Sequence, residues 1–184
     1  MTLALALLAS CKADHPEPPM QCPGAPGGLL HHAKASLFLN PKASCPSVET
    51  EIRARVNGTN GWVDPHNHGN YTMVSDEAGV MRLTRTTGNG KYTDALMLTF
   101  SDWGGDYGCQ ITACSESQVN SFADFSTNFC NLHDLYCGKQ DGCPVADHDI
   151  GEYKEELRAM SIGAGHDKSK CVVKEITPIP EMHI

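Results

Sequence analysis

"YTMVSDEAGVMRLTRTTGNGKYTDALMLTFSDW", Tyr71–Trp103, holds three runs of strand-forming residues separated by two short clusters of turn residues. The runs Tyr71–Ser75, Val80–Thr86 and Tyr92–Trp103 are rich in Val, Met, Leu, Thr and aromatic side chains, the residues that pack well on a pleated surface. "DEAG" and "TGNGK" between them supply Gly, Asn and Asp, which turn a chain back on itself in two to five residues. Strands joined this way form an antiparallel meander with one buried face. Met81, Leu83, Leu96, Leu98 and Phe100 fall on that face by their alternation.

The preceding "VETEIRARV", Val48–Val56, alternates apolar or small residues with Glu and Arg. That period of two predicts a further strand, with Ile52 and Val56 joining the buried side. Downstream the pattern changes. Ser115 with Gln118 is a capping-box pair, and Val119, Phe122 and Ala123 follow at helical spacing. "TNFCNLHDLYC", Thr127–Cys137, places Phe129, Leu132, His133 and Tyr136 on one helical face, and "EYKEELRAM", Glu152–Met160, has the charge pattern of a third helix. The expected fold is mainly β, an antiparallel sheet or sandwich, with short α-helices in a disulfide-rich C-terminal half.

Length and charge bound the function. With 184 residues and 19.9 kDa there is material for one core. The 14 Lys and Arg are outnumbered by 22 Asp and Glu, for a net charge of -8, which argues against a nucleic-acid partner. Residues 1–13 read as a secretory signal peptide: an apolar run followed by small residues and then "KADHPEPP". Cys11 in "LLASC" also fits a lipoprotein cleavage site. Residues 14–44 read as a Pro/Gly-rich arm, 45–171 as a single disulfide-stabilised domain and 172–184 as a tail; no run is long enough for a transmembrane segment. Beyond Cys11 there are Cys22, Cys45, Cys109, Cys114, Cys130, Cys137, Cys143 and Cys171. An even set in a secreted chain predicts four bridges of undetermined pairing. No CxxC is present to poise a redox thiol or to supply paired zinc ligands. Asn57 in "NGT" and Asn70 in "NYT" are glycosylation sequons.

Two clusters carry candidate chemistry. "FCNLHDLYCG", Phe129–Gly138, sets His133 and Asp134 between cysteines, downstream of "WGGDYGCQI". Locally this resembles the secreted calcium-dependent phospholipases, and the resemblance implies His133 as general base, with Asp134 and the backbone around Gly105, Tyr107 and Gly108 holding calcium. The chain departs from that pattern. Phe129 stands where the family has a second cysteine, and Gln110 and Ile111 replace the glycines that follow its "YGC". "DPHNHGNY" places His66 and His68 two residues apart, so that on extended backbone they share a face and could reach a copper or zinc ion. Trp62 and Trp103, each beside glycine, join His66 and His68 as candidate ligand-binding residues for a glycan. Ser115 in "CSESQ" reads as a cap, and the spacing of Asp102, Asp106, Glu116 and Asp124 selects no glycosidase pair. As a whole, residues 45 to 171 are similar to small secreted cysteine-rich eukaryotic proteins of uncharacterised function, a resemblance carried by "KYTDALMLTF", "GCQITACSESQV" and "DFSTNFCNLHDLYCG". The functional expectation is a secreted binding or structural module for a glycan or an extracellular protein, with no resident cofactor; the alternative is a small secreted hydrolase using His133.

Overall fold

The computed structural model describes residues 22, 32–104, 106–121 and 124–173. The signal-peptide and Cys11 expectations, residues 174–184 of the expected tail and the Gly105 calcium-loop position lie outside them, whereas Val172 and Val173 of that tail are described. Six antiparallel strands form one sheet in the order β2-β3-β4-β5-β1-β6: β1 Lys34–Pro41, β2 Asn70–Glu77, β3 Val80–Thr86, β4 Thr93–Asp102, β5 Cys109–Ser117 and β6 Tyr153–Met160. The meander read from Tyr71–Trp103 is β2 to β4. Two helices, α1 Cys45–Val56 and α2 Thr127–His133, pack on the sheet, α1 over β2 and β4 and α2 over β5 and β1. Among the described residues no helix is long and apolar enough to cross a membrane.

Register explains the core. Leu98 sits between Met81 on β3 and Ala113 on β5, and Ala113 faces Leu37 on β1. All four are buried with Leu39, Leu83, Leu96 and Ile111, each large side chain contributing about 1.5–3 kcal/mol of transfer free energy. Four disulfides, Cys22–Cys114, Cys45–Cys109, Cys130–Cys171 and Cys137–Cys143, tie this sheet to the segments around it. Cys114 alternates with Ala113 and Ser115, so its bridge fastens Cys22 to the face away from the helices.

Four elements differ from the sequence expectations. "VETEIRARV" is helical, not a strand. Ser44 caps it, Pro46 stands in its first turn, and its buried residues Val48, Glu51, Ile52 and Arg55 follow a helical period. The apparent alternation arose because two charged residues are on the inner face. Glu51 and Arg55 are both buried and hydrogen-bond at 2.7 Å, one turn apart. "EYKEELRAM" is the edge strand β6, whose charges suit an edge. Ser115 is an interior strand residue and not a helix cap: it lies in β5, where its hydroxyl donates to Asn128. The supposed arm contributes β1, an inner strand in which Ala35, Leu37 and Leu39 alternate inward.

Candidate functional site

A left-handed backbone turn precedes α2 and builds the site. Phe125 (φ 49°) and Ser126 (φ 74°) both occupy the left-handed region, which a bulky aromatic residue adopts at a cost of about 1–3 kcal/mol. The buried Asp124 carboxylate holds this turn. Its Oδ1 accepts the Ser126 and Gly165 N–H groups at 3.1 Å each, and its Oδ2 accepts the Asn128 N–H at 3.1 Å and the Asn128 side-chain amide at 3.0 Å. Ser126 Oγ accepts the Asp167 N–H at 3.1 Å. Gly165 must be glycine here, because a Cβ would stand 2.4 Å from Ser126 Oγ. So fixed, the turn projects the Phe125 ring into solvent, where it is 81% exposed.

Across from the ring runs residues 169–173, anchored from below by the Cys130–Cys171 bridge to α2. Val173 N–H donates to Pro65 O at 3.0 Å, and His66 Nδ1–H donates to Lys170 O at 2.6 Å. That bond leaves Nε2 as the imidazole's acceptor, and burial holds the His66 pKa below its ordinary value. Phe125, Val172 and Val173 with His66, Ser169 and Lys170 line an open cleft of about 570 Å³. Its walls are apolar, and a hydroxyl, an ammonium and an imidazole are at hand.

Beneath the His66 loop lies a closed charged layer. Asp64 Oδ2 accepts from Arg85 Nη2 at 2.5 Å and from Gly69 N–H at 2.6 Å. Burial opposes ionisation of Asp64, but the Arg85 charge and these donors hold its pKa below the usual range. The Arg85 guanidinium lies 5.6 Å from the centroid of the Tyr71 ring, and Tyr71 OH donates to Asn131 O at 2.9 Å. This layer sets the shape of the 64–69 loop on which His66 rides.

The residues singled out from sequence scatter. His133 is 1% exposed, and its Nδ1 faces Glu155 Oε2 at 3.3 Å. Asp134 is 0% exposed, with its pKa raised by burial and by the neighbouring Asp64 charge. Gly108 immediately precedes β5, its N–H donating to Pro41 O. His66 and His68 are in a turn, His68 left-handed at φ 58°, and do not share an extended face. Among the described residues the one three-membered cluster of metal-ligand types is His133, Cys137 and Cys143, and both its sulfurs are joined in a disulfide. Trp62 is 8% exposed, its indole N–H donating to Pro144 O at 3.1 Å. Trp103 is 48% exposed just past the far end of β4. Asn57 and Asn70 are both exposed. Of the expected ligand-binding residues, His66 alone lines the cleft. Phe125, Ser169, Lys170, Val172 and Val173 went unread; the available signal was the "DFST" run of capping residues interrupted by an aromatic. No protein-family model, curated protein or solved structure matches this chain.

Proposed function

We propose that the chain is a secreted, disulfide-stabilised binding module, and that its ligand is a glycan seated on the Phe125 cleft. The observation that carries this reading is Phe125 itself, an aromatic ring held in solvent by a backbone conformation unfavourable to it. Folding alone gives no reason to keep that combination, since Asn or Gly would relieve the backbone. A ligand that stacks on the ring does. A pyranose has an apolar C–H face for Phe125 and the valines, and hydroxyls for Ser169 Oγ, Lys170 Nζ and His66 Nε2. Four disulfides and two exposed sequons support an extracellular setting.

The test is a printed glycan array probed with the oxidised protein and with Phe125→Asn. The reading expects a discrete set of related glycans bound by the parent and lost in the variant. Equal binding by both proteins would refute it.

A further inference from the structure

The first turn of α1 meets the loop after Cys143, and three side chains form a relay. Ser47 Oγ lies 2.7 Å from His148 Nε2, and His148 Nδ1 lies 2.8 Å from Asp147 Oδ2. The carboxylate can only accept, so Nδ1 carries the ring proton and Nε2 accepts from the Ser47 hydroxyl. We propose that this is an acyl-transfer site, with Ser47 as nucleophile, His148 as general base and Asp147 as the residue that positions the imidazole.

The two halves are held rigidly with respect to each other. Glu51, one turn below Ser47 on α1, accepts the N–H groups of Ala146 at 2.8 Å, Asp147 at 2.7 Å and His148 at 2.8 Å. Arg55 pairs with Glu51 and donates to Asp134 O and Cys137 O, each at 2.8 Å. The Cys45–Cys109 bridge pins the start of α1, and Cys137–Cys143 closes the loop that leads to Asp147. Preorganised geometry of this kind is what a relay needs to work.

The relay also has access and a favourable field. His148 and Asp147 side chains are 35% and 49% exposed, and Ser47 is half-buried. Ser47 is the third residue of a 12-residue helix, where the positive end of the helix dipole favours negative charge developing on a carbonyl oxygen. Its own N–H donates a long 3.4 Å bond to the Ser44 hydroxyl. The substrate class for such a relay is an O-acyl ester. Ser47 Oγ adds to the ester carbonyl as its proton passes to His148 Nε2. The bond to the leaving alkoxide breaks, with that proton returned to it from His148. Water then adds to the acyl-serine by the same route, releasing a carboxylic acid and restoring Ser47.

The experiment incubates the full oxidised chain with a fluorophosphonate probe, whose phosphorus an activated serine attacks with loss of fluoride, and locates the phosphonyl adduct by peptide mass. Ser47→Ala, His148→Gln and Asp147→Asn run alongside, with thermal melts to show each is folded. The site predicts one adduct, on Ser47, formed about 100-fold or more slowly in His148→Gln. A folded parent with no adduct on Ser47 overturns the proposal, as does an unchanged rate in His148→Gln. Glycan binding at Phe125 is a separate readout, unaffected by these variants.

Discussion

Asp134, at the end of α2, is buried beside Asp64, and the structure pairs neither Asp134 oxygen with a donor. Asp64 is held ionised by Arg85. Burial and the Asp64 charge raise the Asp134 pKa well above its ordinary value, which favours the neutral form that can donate to the pair. A group whose folded pKa stands above its unfolded value contributes stability that is full below the unfolded value, about 3.9 for Asp, and lost as pH rises through the folded value. Asp134→Asn keeps a neutral donor at every pH. Its thermal midpoint relative to the parent should therefore climb from pH 5 to pH 8.5, each kcal/mol gained appearing as about 2–4 °C. A difference that is flat with pH, or that falls, would show Asp134 to be ionised in the folded protein.

Glu51 and Arg55 form a pair with neither side chain exposed, and Glu51 also organises three backbone N–H groups of the 146–148 loop. Removing one partner strands a buried charge, so Glu51→Ala should cost about 3–5 kcal/mol in urea unfolding. In a double-mutant cycle with Arg55→Met, part of that loss should be absent, because the second substitution removes the stranded guanidinium. Purely additive losses would mean the two act separately.

The bridges differ in how much chain they constrain. Cys137–Cys143 spans a sequence separation of 6 and Cys130–Cys171 one of 41. In the chain-entropy account the shorter ring restrains the unfolded state less. Paired Cys→Ala substitution at 130 and 171 should lower stability more than at 137 and 143, by about 1.7 kcal/mol on that account. Calorimetry of the two double variants gives the order, and a reversed order would show that the 137–143 bridge acts chiefly on the folded state.

Phe125 separates stability from function. Asn tolerates the left-handed region better than Phe, and the ring is too exposed to contribute much burial. Phe125→Asn should raise the thermal midpoint by about 2 °C or more while abolishing ligand binding. A destabilised variant would make Phe125 a packing residue.

The sheet was legible where hydrophobic alternation was undisturbed, as in Met81, Leu83, Leu96 and Leu98. It misled at Glu51, Arg55 and Glu155, inward positions that carry a charge. Glu51 and Arg55 turn a helix into an apparent strand. Glu155, directed inward to accept from Tyr136 at 2.5 Å, makes the strand β6 resemble a helix. Local pattern cannot distinguish a paired inner charge from a solvated one, because the partner is distant in sequence: Tyr136 for Glu155, and the 146–148 loop for Glu51. The cleft was hidden for the same reason. It joins a loop before α2, a turn at His66 and residues after Lys168, brought together by the Cys130–Cys171 bridge, the Asp124 carboxylate, the Ser126 hydroxyl and the hydrogen bonds of His66 and Val173. Trp62 looked available beside Gly61, yet Arg55 lies 5.9 Å from its ring centroid and Pro144 takes its N–H.

The most direct measurement is a ¹H–¹⁵N titration of the oxidised protein with the glycan selected on the array. Amide shifts confined to Phe125, Ser126, Ser169, Lys170, Val172, Val173 and His66, and lost in Phe125→Asn, are the predicted result. Shifts centred on Trp103 or on the open face of the sheet, with the cleft amides unmoved, would contradict the account.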